Sequence, residues 1–186
     1  KLVKKNYHKI TIPDKESSDA ILKDLTGVEY IVEQIDKKIV KRNPYPPFIT
    51  SKLQQEAIRK LRFTAKKTMM VAQKLYEGVP VGEEGPEGLI TYMRTDSTRI
   101  SQEAVQQGRS YIKDTIGPSY LPASPRVYKS KKKGIQDAHE AIRPTSIDRE
   151  PSQIKSFLTA EQYKLYQLIW NRFVACQMKE AQWDYT

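Results

Sequence analysis

The amino-acid sequence predicts an α+β chain that is mostly helical after residue 47. Apolar residues recur at helical spacing in several stretches from Thr50 on, most regularly along Tyr163, Tyr166, Ile169, Trp170, Phe173 and Val174. Ahead of them, Lys1–Ile12 and Val28–Lys41 carry β-type residues in partial alternation (Val28, Tyr30, Val32). The final Gln182-Trp183-Asp184-Tyr185-Thr186 reads as a further strand cut short, and the opening Lys1 as mid-sequence, so an excised piece of a longer protein is expected.

Taken in order, Lys15–Thr26 predicts a short helix, capped by Asp14 and ended by Gly27. Asn43-Pro44-Tyr45-Pro46-Pro47 holds prolines that can continue neither a helix nor a central strand, so a segment boundary is placed there. Leu53, Ala57, Ile58 and Leu61 then mark one helix. Thr64 starts a second, with Thr68, Met69, Ala72, Leu75 and Tyr76 along it, and Arg62-Phe63 joins the two as a helix-turn-helix pair. Residues 78–88, rich in Gly, Pro and Glu, predict an exposed loop. Ser101 caps a helix through Ile116, with Val105, Tyr111 and Ile112 toward the core, and Gly117-Pro118 stops it. Residues 118–136 read as loop, with Lys131-Lys132-Lys133 solvated. Asp137 with Glu140 forms a capping-box pattern that predicts a short helix limited by Pro144. Thr159 with Gln162 forms a second box and opens the long aromatic helix, whose stripe is the expected core.

Charge and cysteine content narrow the function. The net charge is +10 over 186 residues, which suits an anionic partner such as nucleic acid. The surplus has no basic tail; its largest share lies in residues 48–150, with 18 basic and 12 acidic residues. A soluble domain that is merely basic is the plain alternative. The single cysteine, Cys176, excludes a disulfide framework and a Cys-rich zinc site, and its place in the aromatic stripe predicts a small buried hydrophobe. No run of 18 apolar residues exists, so no membrane contact is expected, and an intracellular home is the default. The histidines, His8 and His139, lie far apart, and neither a phosphate-binding Gly-Lys-Ser/Thr loop nor a Gly-x-Ser-x-Gly elbow is present.

Two clusters carry possible chemistry. In Gly88-Leu89-Ile90-Thr91-Tyr92-Met93-Arg94-Thr95-Asp96-Ser97-Thr98, Tyr92 and Arg94 stand two apart. An extended backbone puts them on the same side, where phenol and guanidinium can meet one phosphate. A phenol, with a pKa of about 10, is a weak nucleophile; a neighbouring cation favours the phenolate and offsets charge on a phosphoryl transition state. The guanidinium fork matches two phosphate oxygens, and Thr95, Ser97 and Thr98 add hydroxyl donors. An ordinary Thr/Ser-rich strand-to-turn junction reads the same way. In Asp137-Ala138-His139-Glu140-Ala141-Ile142-Arg143-Pro144-Thr145, the spacing puts His139 and Arg143 on one helical face, able to bind a phosphate together or simply to face water.

Together, GLITYMRTDST and, about forty residues on, DAHEAIRPT closely resemble the type IA DNA topoisomerases of bacteria. PPFITSKLQQEA, KKTMMVAQKLYEG and YQLIWNRFVACQM resemble the same family, in order, over most of residues 47–179. The resemblance implies that Tyr92 attacks a phosphodiester of single-stranded DNA, becomes joined to the 5′ phosphate and frees a 3′ hydroxyl. A second strand passes and the hydroxyl reverses the attack, relaxing negatively supercoiled DNA. Arg94 then contacts the scissile phosphate. Ser97, His139 and Arg143 are assigned to the DNA-binding surface.

The resemblance further implies a tyrosine-bearing, mostly helical domain with a winged-helix-like element over residues 48–179. Residues 1–47 and 180–186 would be parts of the β-rich hinge domain to which it is attached. The family's Mg2+ site belongs to a toprim domain with no counterpart here, so no metal is expected in this fragment, and the fragment alone is expected not to relax DNA. The partners implied are single-stranded or negatively supercoiled DNA and the rest of the same polypeptide, in a monomeric, cytoplasmic, nucleoid-associated enzyme. A non-catalytic DNA-binding module, a domain that docks onto protein partners, and a fragment of a topoisomerase III or reverse gyrase are the rivals.

Overall fold

A computed structural model of the chain describes residues 12–82, 85–128 and 139–186. The expected strand over Lys1–Ile12 lies almost wholly outside them, as do Asp137 and the lysine run 131–133. The chain divides into two units, one holding residues up to Lys38 with Asp184–Thr186, the other Ile39–Trp183.

In the smaller unit, helix α1 (Lys15–Leu25) is a local object. The Asp14 carboxylate accepts the Ser17 amide at 2.7 Å, Gly27 follows at φ 75°, and no α1 residue is buried. The Asp14 carboxyl is held below its usual range by those amide and hydroxyl donors on Ser17. The alternation over Val28–Lys41 does not make a long strand. Val28, Tyr30 and Val32 are exposed, and paired strand is confined to β1 (Lys38–Arg42). Alternation signals fitness for a half-buried pleated surface, and it yields a strand only where a partner backbone is in reach. For β1 that partner is β4 (Ala181–Tyr185). The Arg42 guanidinium lies 5.0 Å from the Trp183 ring centroid, a cation–π contact on that ribbon.

The larger unit is built on α2 (Thr50–Leu61), α3 (Ala65–Glu77) and α6 (Ala160–Cys176), with α4 (Gln102–Tyr111) and the one-turn α5 (Pro151–Ile154) beside them. α2 ends at Arg62, left-handed at φ 61°, and the Thr64 hydroxyl accepts from Lys67 N to open α3. This is the expected two-helix pair. Residues 78–88 are not simply loop: β2 (Val79–Pro80) pairs antiparallel with β3 (Pro86–Glu87), and Val79 is buried. α2, α3 and this hairpin follow one another directly along the chain. An Arg149–Glu87 ion pair ties this hairpin to the loop before α5.

The long helix forms as its capping box predicts: Thr159 Oγ1 accepts from Gln162 N, and Gln162 Oε1 accepts from Thr159 N. Leu165, Tyr166, Ile169, Trp170, Phe173 and Val174 are buried in one cluster with Leu53, Val71, Leu75, Leu89, Met93 and Ile112. Tyr163, expected in the stripe, is only half-buried, and Ile58 of α2 is exposed. The polar tips of the core aromatics are satisfied: Tyr166 Oη donates to Arg149 O at 2.7 Å and Trp170 Nε1 to Ile147 O at 3.0 Å. Thr159→Ala removes one half of the box; unfolding by urea is expected to show a loss of about 1 kcal/mol.

Cys176 is buried, with Sγ 3.0 Å from Phe173 O, and burial pushes its thiol up to about 12. Beyond it the chain is fastened by Arg126, whose Nε donates to Met178 O at 2.6 Å and whose Nη atoms reach Asn43 Oδ1 and Glu180 Oε2, each at 3.2 Å. Tyr128 Oη donates to Cys176 O at 2.7 Å. Burial raises Tyr128 to about 12; burial and then the hydrogen bond to Glu150 raise Tyr111 to about 12. A phenol whose pKa rises on folding stabilises the fold in full below its unfolded value of about 10. That stability is lost as pH climbs from about 10 toward 12. Urea midpoints are therefore expected to fall across this window, and less steeply in Tyr128→Phe.

Candidate active site

Three distant stretches meet around Tyr92. Phe48 bridges Ile142, and Ile90 bridges Pro144, both antiparallel. Thr91 N donates to Arg143 O at 2.9 Å, and Thr91 Oγ1 donates to Ala141 O at 2.7 Å while accepting from Arg143 N at 3.0 Å. On the other side, Thr50 N donates to Thr95 O at 2.9 Å, Thr50 Oγ1 donates to Met93 O at 2.8 Å, and Thr95 N donates to Thr50 Oγ1 at 2.9 Å. Thr50 opens α2, where backbone N–H groups lack intrahelical partners; the tyrosine segment supplies one. Tyr92 is thus flanked by backbone held from both sides.

Within that frame the chain alternates. Met93, Thr95 and Ser97 are buried, while Tyr92 is half-buried and Arg94 and Asp96 are exposed. Tyr92 and Arg94 therefore both keep solvent access, while Met93 between them and Thr95 after them turn inward. The Tyr92 ring meets Tyr76, at the end of α3, edge-on at 5.4 Å between centroids, and His139 at 5.2 Å with a 44° tilt. These contacts steady the ring while leaving part of it open. Among the described residues no hydrogen bond engages Tyr92 Oη and no ion pair engages Arg94.

The remaining candidates depart from expectation. Residues 139–144 form no helix, so His139 and Arg143 share no helical face. The cause is the frame itself: the amides of Ala141, Ile142 and Arg143 donate to Arg99 O, Phe48 O and Thr91 Oγ1, and cannot close a helical turn. His139 is nonetheless exposed and beside Tyr92. Arg143 is turned to structural use: it pairs with Glu140 Oε2 at 2.7 Å and donates to Pro144 O at 2.9 Å. Ser97 is 3% exposed, with its hydroxyl accepting Arg99 N at 3.1 Å, so it shapes the turn instead of facing a ligand. Tyr76, Thr50 and Glu140 were not singled out from sequence as parts of this site; their partners lie 16, 43 to 45, and 3 residues away, respectively.

A family model described as DNA topoisomerase matches residues 1–186. The chain belongs to the DNA topoisomerase family. It is 55% identical over 171 residues to DNA topoisomerase 1 of Rickettsia bellii, covering 92% of this chain and 21% of that protein. To DNA topoisomerase 1 of Rickettsia felis it is 52% identical over 176 residues, covering 95% and 23%. The solved structure of full-length topoisomerase I from Thermotoga maritima superposes with a TM-score of 0.75 at 42% identity, over 89% of this chain and 26% of that one. The chain thus spans about a fifth of the length of its curated relatives. The α+β fold, with its helical body and small sheets, is that of a topoisomerase I segment. Among the described residues of this topoisomerase segment, no helix is long and apolar enough to cross a membrane.

Proposed function

We propose that this topoisomerase segment carries the nucleophile of a type IA DNA topoisomerase I, and that the nucleophile is Tyr92. The observation that supports this most is the alternating burial along a segment braced from both sides, which leaves Tyr92 and Arg94 both open to solvent, with His139 beside the Tyr92 ring. Tyr92 Oη bonds to phosphorus of a single-stranded DNA phosphodiester, and the P–O3′ bond breaks. The phenol gives up its proton and the departing 3′ oxygen gains one, leaving a 5′-phosphotyrosine and a free 3′ hydroxyl. Reversal by that hydroxyl after strand passage changes the linkage of the DNA.

Arg94 supplies charge to the non-bridging phosphate oxygens. His139, next to the phenol ring, contributes a polar edge to the DNA surface. Among the described residues no group of three or more His, Cys, Asp or Glu could hold a metal ion. No step here is routed through a metal.

The polarity of attachment tests the reading. The intact enzyme is incubated with single-stranded oligonucleotide labelled at one end, then quenched with alkali. A 3′-end label should remain with the protein and a 5′-end label should leave on the released strand. Retention of the 5′-end label instead would contradict the mechanism.

A further inference from the structure

The larger unit carries a second concavity, a cleft of about 440 Å³ between the end of α2, α6 and Pro44–Tyr45. Tyr76, Tyr92, Arg94 and His139 take no part in its lining. Its charge is one-sided: Lys60, Lys164 and Arg172 line it, and among the described residues no carboxylate does. Glu56, just behind, pairs with Arg59 at 2.7 Å, Lys60 at 3.0 Å and Arg172 at 3.6 Å. One carboxylate against four cations leaves the cleft positive.

At its edge stands an aromatic platform. Tyr45 is 73% exposed, yet its ring is supported: the Arg172 guanidinium lies 5.2 Å from its centroid, and 4.3 Å from that of Phe48. Arg172 also donates to Pro46 O at 3.2 Å. The prolines on both sides of Tyr45 restrict the backbone that presents it. An aromatic ring that is supported from below and open to solvent offers a surface for stacking. Lysines beside such a ring offer contacts to phosphate. Single-stranded nucleic acid has both the unstacked base and the flanking phosphates to use them, whereas a duplex keeps its bases covered.

We propose that this cleft is a second binding site for single-stranded DNA. One base stacks on Tyr45, and the neighbouring phosphates lie on Lys60 and Lys164. The choice of DNA rests on the topoisomerase reading above, but the site does not depend on Tyr92 chemistry.

The test uses the intact enzyme and an oligothymidine carrying 5-iodouracil, with photocrosslinking and peptide mapping, while covalent cleavage at Tyr92 is scored on the same oligonucleotide. A crosslink on the Tyr45 peptide is expected. It should persist in Tyr45→Phe, fall about tenfold in Tyr45→Ala and fall similarly in the Lys60→Glu, Lys164→Glu double variant, as loss of a stacked base and of phosphate contacts requires. The proposal is overturned if the Tyr45 peptide stays unlinked in the wild-type enzyme, or if the charge-reversed variant crosslinks at full yield. It is also overturned if an oligoaspartate peptide displaces the crosslink as well as unmodified oligothymidine does, which would mark a surface for acidic protein. Loss of the crosslink with cleavage intact counts against the cleft alone; crosslinking without cleavage in the wild-type enzyme counts against Tyr92 alone.

Discussion

Tyr92→Phe in the intact enzyme is expected to abolish covalent capture of single-stranded DNA while changing stability by no more than about 0.5 kcal/mol. The two halves of this result have separate causes. Capture needs the phenol oxygen as the atom that bonds to phosphorus, and phenylalanine has none. Stability depends on the ring, which meets Tyr76 and His139, and phenylalanine keeps the ring. No hydrogen bond to the Tyr92 hydroxyl exists among the described residues, so its removal orphans no buried partner there. Gel detection of protein–DNA adducts after denaturing quench, paired with urea unfolding, reads both halves. Adducts at wild-type yield would remove Tyr92 from the chemistry.

Gly88→Ala is expected to be the most damaging change of a single small residue. A Cβ at Gly88 would lie 2.6 Å from Tyr76 O, a backbone atom at the end of α3 that cannot swing aside. The next amide, Leu89 N, is already fixed to Leu75 O at 2.7 Å, and Thr145 Oγ1 donates to Gly88 O at 2.8 Å. The segment leading to Tyr92 is therefore pressed against α3 with no slack. Overpacking of this kind costs about 1–3 kcal/mol. The displacement should also reach the Tyr76–Tyr92 contact, so cleavage is expected to fall together with the thermal midpoint. An unchanged midpoint would show that the close approach is not needed.

Local signals in the sequence were legible wherever a helix is specified by its own residues. Asp14, Thr64, Ser101 and Thr159 each cap the helix that they precede, because a cap is an interaction over about three residues. The short helix expected up to Pro144 does not form over its described part, residues 139–144, because the amides of Ala141, Ile142 and Arg143 are taken by Arg99, Phe48 and Thr91, none of them near in sequence. The strand over Val28–Lys41 failed in the complementary way: its alternation is present, but only Lys38–Arg42 has a paired neighbour. Ser97 looks like a donor to phosphate by residue type alone; its burial follows the alternation in which Met93, Thr95 and Ser97 turn inward.

Mass mapping of the amino acid that carries DNA addresses the central claim most directly. Intact enzyme would be trapped on a single-stranded oligonucleotide, digested with nuclease and protease, and the modified peptide sequenced. The account predicts one nucleotide-bearing residue, Tyr92, joined through a 5′ phosphate. A phosphate adduct on any other of the chain's 11 tyrosines, or on a serine, would contradict it.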